Sequence, residues 1–349
     1  MLIFLFLLGN STSAVPKIIF DSDIARVDSL GNDISDIDDL GALTILNALA
    51  NKGLCEVICI VTNSRSDHVV EMIDAVNTYY FNNDIPIGIK GGSSVLIKDQ
   101  NSYARVIANR FEHSQKSTSA FSSTEVLRRV LSTVTENDTV IYIHADAISS
   151  WDFLSISSFL ESAPDQVSDM TGWELFNSKV DQLVSYVPCL PNNGVSENCP
   201  DWSNQPSSNV AKLQYFLKTY SNQLIGNTTA VEEAHLPTGL WRQSSDHPVK
   251  IAYEYYYSQT PPPWHQSNEI PESISIYGDG LGIFYTVTSG ANSDLFSQNE
   301  EGKFVLEQQK LRWNIQENTP KHSYFYTNPD SKQQLWSRLD ELICHQPIP

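Results

Sequence analysis

Hydrophobic and polar positions alternate with two different periods along the first half of the chain. Residues 17–20, Glu56–Thr62 (EVICIVT), 85–89 and 139–144 (TVIYIH) are short, nearly continuous apolar runs that read as buried strands. Between them Leu40, Leu43, Leu46 and Leu49 recur at helical spacing within 38–52, and 67–81, 124–135 and 149–161 carry helical patterns. Continuous apolar strands alternating with helices predict an α/β fold: a mostly parallel, open, Rossmann-like sheet flanked by helices. The second half is less regular. Residues 186–208 are rich in Pro, Asn, Ser and Gly and predict a long loop, followed by a helix over 210–219 and a short strand at 223–225. A helix is expected over 246–257 with Asp246 as its N-cap. Residues 281–287 read as buried, and a polar tail from Ser289 ends in a helix near 333–343. No internal repeat or low-complexity tract breaks the chain, which predicts a single domain over 15–349.

The residues after the first apolar run change the picture. Seven aspartates (Asp21, Asp23, Asp28, Asp33, Asp36, Asp38 and Asp39) follow it, and Arg26 is the one cation between 18 and 43. Two carboxylates about 4 Å apart repel by roughly 4 kcal/mol at an effective dielectric of 20. Converging several of them calls for a cation, and hard ions such as Ca²⁺ or Mg²⁺ take oxygen ligands. The bland alternative is a solvated acidic loop. Ligands of open α/β sheets bind beyond the carboxyl ends of the strands, which is where Asp21 and Asp23 fall.

Charge and composition narrow the partners. A formal net charge of −19 without any basic cluster in the sequence argues against nucleic acid. Residues 2–8 are apolar but too short to span a bilayer, and no later stretch is long enough, so no membrane partner is expected. With small residues at Thr12 and Ala14, residues 1–14 read as a secretory signal cut after Ala14; a buried first strand is the alternative. The sequons at Asn137 and Asn227 are compatible with export. Five cysteines form no C-x-x-C pair. Cys189 and Cys199 bracket a loop that a disulfide would close in a secreted protein, while Cys55 and Cys59 read as buried free thiols.

An apolar strand, Asp-x-Asp (Asp21, Asp23), Gly-Asn-Asp (Gly31, Asn32, Asp33) and Asp-Asp-x-x-Ala-Leu (Asp38, Asp39, Ala42, Leu43) together resemble the opening signature of the inosine–uridine preferring nucleoside hydrolases. The strand ending at Asn63, the segment 74–89, the helix and strand up to Ser150, and YGDGLGIFYTV at 277–287 are similar to later family segments, so the likeness spans about 16–290. The resemblance implies a Ca²⁺-dependent hydrolase that cleaves the N-glycosidic bond of small-molecule nucleosides. It implies Asp23 as general base and metal ligand. Asp39, the carbonyl of Ala145 and Asp279 would complete the metal shell, and Asp21 would order it from behind. Asp38 and Asn63 would bind the sugar, with Asp201 and Asn204 (or Ser203) contributing from the middle loop. A homo-oligomer is compatible with all of this.

The chain also departs from the family pattern. Extra residues around 25–30 lengthen the metal loop, leaving Asp36 as an alternative to Asp23. Ser149 and Ser150 stand where the family has Thr-Asn, and Gly278 where it has His or Trp. Tyr277, His247 and His144 are candidates for the leaving-group role that Gly278 vacates, and Asp246 competes with Asp279 as the last ligand. Two further readings follow: a non-catalytic binding protein that keeps the fold, and a haloacid-dehalogenase-type phosphatase using FDSDI. The second is disfavoured by Ala25, which stands where that family wants Thr or Val.

Overall fold

The computed structural model describes residues 15–35, 37–147, 155–187, 204–227, 234–237, 239–259, 273–276, 278–288, 294–307, 309–316, 319 and 321–347. The proposed signal segment, Asp36, Ser149, Ser150, both cysteines of the suggested disulfide, Asp201, Ser203 and Tyr277 lie outside these residues. The first half reads β1 (Lys17–Ser22), α1 (Asp38–Asn51), β2 (Glu56–Thr62), α2 (Val69–Tyr79), β3 (Ile87–Ile89), α3 (Tyr103–Arg110), β4 (Phe121–Ser122), α4 (Ser123–Thr133) and β5 (Val140–Ala147). It continues through α5 (Ser155–Leu160), α6 (Gly172–Lys179), β6 (Gln182–Tyr186), α7 (Ser207–Thr219), β7 (Gln223–Asn227), β8 (Ala234–Pro237), α8 (Pro248–Ser258), β9 (Ser273–Ile276) and α9 (Gly278–Thr288). The chain closes with β10 (Phe296–Asn299), β11 (Lys303–Glu307), β12 (Lys310–Asn314), β13 (His322–Thr327) and α10 (Lys332–Ile343).

Nine strands form one sheet in the order β10-β13-β7-β6-β5-β1-β2-β3-β4, and every neighbouring pair is parallel except β10–β13. Two small antiparallel pairs, β11–β12 and β8–β9, stand apart from it. Alternation along β1 divides the core between the two faces. Ile18 and Phe20 face one cluster with α1, α2, α3, α8, α9 and α10; Ile19 faces the other with α4, α5, α6 and α7. The order of strands reverses at β1. The chain winds outward from β1 to β4, then returns to place β5 on the other side of β1. That reversal is a topological switch point, where the loops leaving β1 and β5 part and open a crevice at the carboxyl edge.

The polar tail beyond Ser289 departs from expectation, because β13 joins the main sheet beside β7 and β10 closes its edge. The helix expected over 246–257 begins at Pro248 and is capped by His247, whose Nδ1 accepts from the Lys250 amide at 3.4 Å. Pro248 suits a first helical position, where no amide donor is needed. Asp246 is thus not the cap; it lies exposed, 3.6 Å from Arg110. No helix among the described residues is long and apolar enough to cross a membrane.

Candidate active site

The site begins with two helices whose first turns carry the acid. Helix α1 is buried from Asp38 through Leu49, so both of its faces lie in protein, and α9 packs directly against it. Asp38 and Asp39 occupy the first turn of α1, and Asp279 the first turn of α9. Their exposures are only 3%, 2% and 8%, yet donor oxygens of all three lie within 4.8 Å of one another. Helix N-termini carry partial positive charge and unsatisfied amides, which favour carboxylates there by about 0.3–1 kcal/mol each. That is too little to hold three mutually repelling charges together out of water. An all-oxygen set of this kind is what Ca²⁺ or Mg²⁺ takes as ligands, so the residues fit a hard divalent cation.

The neighbouring strand ends supply the surroundings. Asp21 is 1% exposed and points to the other face of the sheet from Phe20, where the Tyr142 hydroxyl donates to its Oδ2 at 2.6 Å. Burial, then the Asp21 charge, pushes the Tyr142 phenol well above its ordinary range, so it stays a proton donor. Ala145 falls where the register between β5 and β6 slips, between His144 and Ala147. A carbonyl in such a stretch is turned out of the regular ladder. His144 is buried against the Ser185 hydroxyl at 3.0 Å, and burial lowers its pKa to about 3. His247 is buried beside Tyr79, with burial and Lys250 lowering it to about 4. Both imidazoles are neutral at physiological pH, and neither belongs to the acidic trio.

The added residues after Asp23 have a definite local structure. They fold into a small hairpin that leaves the sheet edge and returns to Asp38. An antiparallel bridge joins Val27 to Asp33, and the Asp28 carboxylate accepts from the Leu30 and Asn32 amides at 2.8 and 2.9 Å. The hairpin is tied down at its base, where the Ala25 amide donates to the Tyr103 hydroxyl and Ser64 Oγ donates to the Ala25 carbonyl. Its tip docks on a distant segment through the Gln100 amide, which donates to the Gly31 carbonyl at 2.8 Å. Gly31 has φ +85°, and a Cβ there would stand 2.0 Å from the Lys98 carbonyl oxygen, so the docking demands glycine.

Asp23 is placed differently from the trio. It is not among the three carboxylates that converge, and its Oδ2 accepts from Arg26 at 2.8 Å. The cause is local: residues 23 and 26 sit three apart in the turn that starts the hairpin, which brings the guanidinium onto the carboxylate. Asn63 is buried at the end of β2, where its amide donates to the Ser22 carbonyl and it lines a cleft of about 640 Å³. Asn204 is exposed in the turn that precedes α7.

Asn227 is a residue whose place in the fold sequence reasoning did not give. Read as a glycosylation sequon, it is 1% exposed at the end of β7, and its Nδ2 lies 3.4 Å from where a Gly282 Cβ would stand in α9. Its position after a buried run in a parallel sheet was the available signal that it belongs to the ligand edge.

The parallel α/β sheet thus gathers buried carboxylates at the carboxyl edge of its switch point. No family model matches the chain, and no curated protein matches its sequence. Solved structures do match. The inosine–uridine preferring nucleoside hydrolase from Bacillus anthracis superposes with a TM-score of 0.51 at 13% identity, over 94% of this chain and 99% of that one. An inosine–guanosine nucleoside hydrolase gives 0.57 at 12% identity, over 94% and 98%. The type III effector protein XopQ, complexed with adenosine diphosphate ribose, gives 0.52 at 13%, over 95% and 94%. The chain has the fold of the nucleoside hydrolases, at 12–14% sequence identity.

Proposed function

We propose that the protein is a metal-dependent hydrolase of N-glycosidic bonds in nucleosides, with Ca²⁺ as its ion. The observation that carries this reading is the buried convergence of Asp38, Asp39 and Asp279 at two helix N-termini on the switch-point edge. Asp39, Asp279 and the Ala145 carbonyl are the proposed ligands; Asp38 reaches both the ion and the sugar hydroxyls. A divalent cation there would polarise water and anchor the sugar. The other steps fall to the chain itself. Asp23 receives the proton of the water that attacks C1′, a general-base role worth about 10²–10⁴-fold. The surrounding carboxylates stabilise the positive charge that develops on the sugar ring in the oxocarbenium-like transition state. Asp21, fixed by Tyr142, holds the end of β1 so that Asp23 is presented at the edge. Asn63 binds the sugar, and Asp201 and Asn204 are assigned to the same task from the middle loop. That XopQ was solved with adenosine diphosphate ribose agrees with a ribosyl ligand on this fold. The proposed setting is secretory, with 1–14 as the removed signal.

One observation favours a second reading. Arg26 holds Asp23 at 2.8 Å, an arrangement that suits a protein that binds metal and ligand without turning the ligand over. Release of reducing sugar from a panel of purine and pyrimidine nucleosides with Ca²⁺ separates the two. Hydrolysis that falls by orders of magnitude in Asp23→Asn, with the variant still folded, supports the enzyme. Calcium binding with no release from any nucleoside supports the binding protein.

A further inference from the structure

The cleft that Asn63 lines sits over the carboxyl ends of β1, β2 and β3, and its walls carry Arg26, Arg65 and Lys90. At the chain's frequency of 22 Lys and Arg in 349 residues, an eleven-residue wall would hold fewer than one. Three in one cleft, in a protein of net charge −19, is a local reversal of sign. The wall's acidic residue does not cancel it. Asp28 is one acid against three cations; bonds from the Leu30 and Asn32 amides and the Asn32 side chain lower its pKa and keep it ionised, which leaves two positive charges in excess among the lining residues. Arg65 is exposed at the cleft and makes no ion pair among the described residues. Arg26 lines the cleft while touching Asp23, so the cationic wall is in direct contact with the proposed base.

A neutral nucleoside gives such a wall nothing to pair with. We propose that the cleft takes a phosphorylated ribosyl compound, with its phosphate between Arg26, Arg65 and Lys90 and its sugar directed to the carboxylate edge. The ribosyl part rests on the hydrolase-fold reading above; the phosphate part rests on the wall. Guanidinium groups present paired donors that match phosphate oxygens, and charge-assisted bonds of this kind are about twice as strong as neutral ones. A volume of about 640 Å³ falls within the 300–1,000 Å³ usual for small-molecule sites, with room for more than a base and a sugar.

The test is a titration of the full chain with inosine, inosine 5′-monophosphate and inosine 5′-diphosphate in EDTA, so that turnover does not interfere. The phosphorylated ligands should bind about tenfold or more tighter than inosine, with the preference shrinking as salt rises. The Arg65→Ala, Lys90→Ala double variant, altered only at two exposed positions, should lose most of that preference. Equal affinity for inosine and its phosphates, no binding of any of them, or a preference that survives in the double variant would each overturn the proposal. Sugar release, measured separately with Ca²⁺, keeps the two readings apart. A phosphate preference without any release overturns hydrolysis alone, whereas release with equal efficiency from inosine and its monophosphate overturns the phosphate site alone.

Discussion

Replacing Asp279 by asparagine keeps the side-chain shape and removes one of three converging charges. With donor oxygens within 4.8 Å, each pair of full charges repels by about 3.5 kcal/mol at an effective dielectric of 20. Asp279 faces two such partners and so carries about 7 kcal/mol of repulsion when nothing neutralises the trio. The metal-free protein can escape part of this by binding a proton, which costs an ordinary aspartate about 5 kcal/mol at pH 7.5. The N-terminus of α9 returns about 0.3–1 kcal/mol to a charged residue there. In EDTA at pH 7.5 the Asp279→Asn variant should therefore unfold at higher urea concentration than wild type, by about 2–4 kcal/mol once the proton and the helix end are counted. Calcium should reverse the order. Wild type gains about 2.7 kcal/mol when the free ion stands at a hundred times its dissociation constant, and the variant, with one charge fewer, gains far less. The assay is a pair of urea unfolding curves for each protein, with EDTA and with saturating calcium. A variant that is less stable by the same amount in both conditions, together with a wild type indifferent to calcium and magnesium, would refute the reasoning.

Two other expectations concern Asp33 and Tyr142. Burial, opposed by Ser35 and reinforced by Asp99, pushes the Asp33 carboxyl up to about 6. A raised folded pKa means the contribution of this group is fully present below about pH 4 and is lost as pH rises through 6; its ceiling is about 3 kcal/mol, and partial exposure reduces that to about 1–2. Stability of Asp33→Asn relative to wild type should climb between pH 4 and 7 and then level off, and a difference that stays flat across that range would contradict the assignment. Tyr142→Phe removes the 2.6 Å bond to buried Asp21 and should cost about 2–3 kcal/mol in urea unfolding; an unchanged midpoint would show that Asp21 does not depend on that hydroxyl.

What could be read from the sequence followed the physics of burial. Strands β1, β2, β3 and β5 were legible because strands covered on both faces are continuous apolar runs, and α1 because its leucines repeat at helical spacing; β4, two residues long, left no such signal. Asp39 and Asp279 were legible as partners through the family resemblance alone, since some 240 residues of chain separate them and no local pattern links them; that resemblance gave Asp38 to the sugar and put Asp23 in its place beside them. Other features depend on tertiary contact. The hairpin after Asp23 is fixed by Tyr103, Ser64 and the 98–100 segment, all far along the chain, so its residues read only as an interruption. The Arg26–Asp23 contact arises from the turn that the hairpin imposes. Strand β6 is five residues long and β10 four, too short for a periodic signal, and both are recognised by their place in the sheet. Asn227 shows the same limit from the other side, because a surface motif in sequence became a buried strand end in the fold.

The most direct test of the account is reducing-sugar release from inosine and uridine by the purified protein, with calcium and with EDTA, beside the Asp39→Asn variant. The account requires release with calcium, none with EDTA, and a loss of about 10³-fold or more in the variant. Calcium bound with no sugar released from either nucleoside, or release that neither EDTA nor Asp39→Asn diminishes, would contradict it.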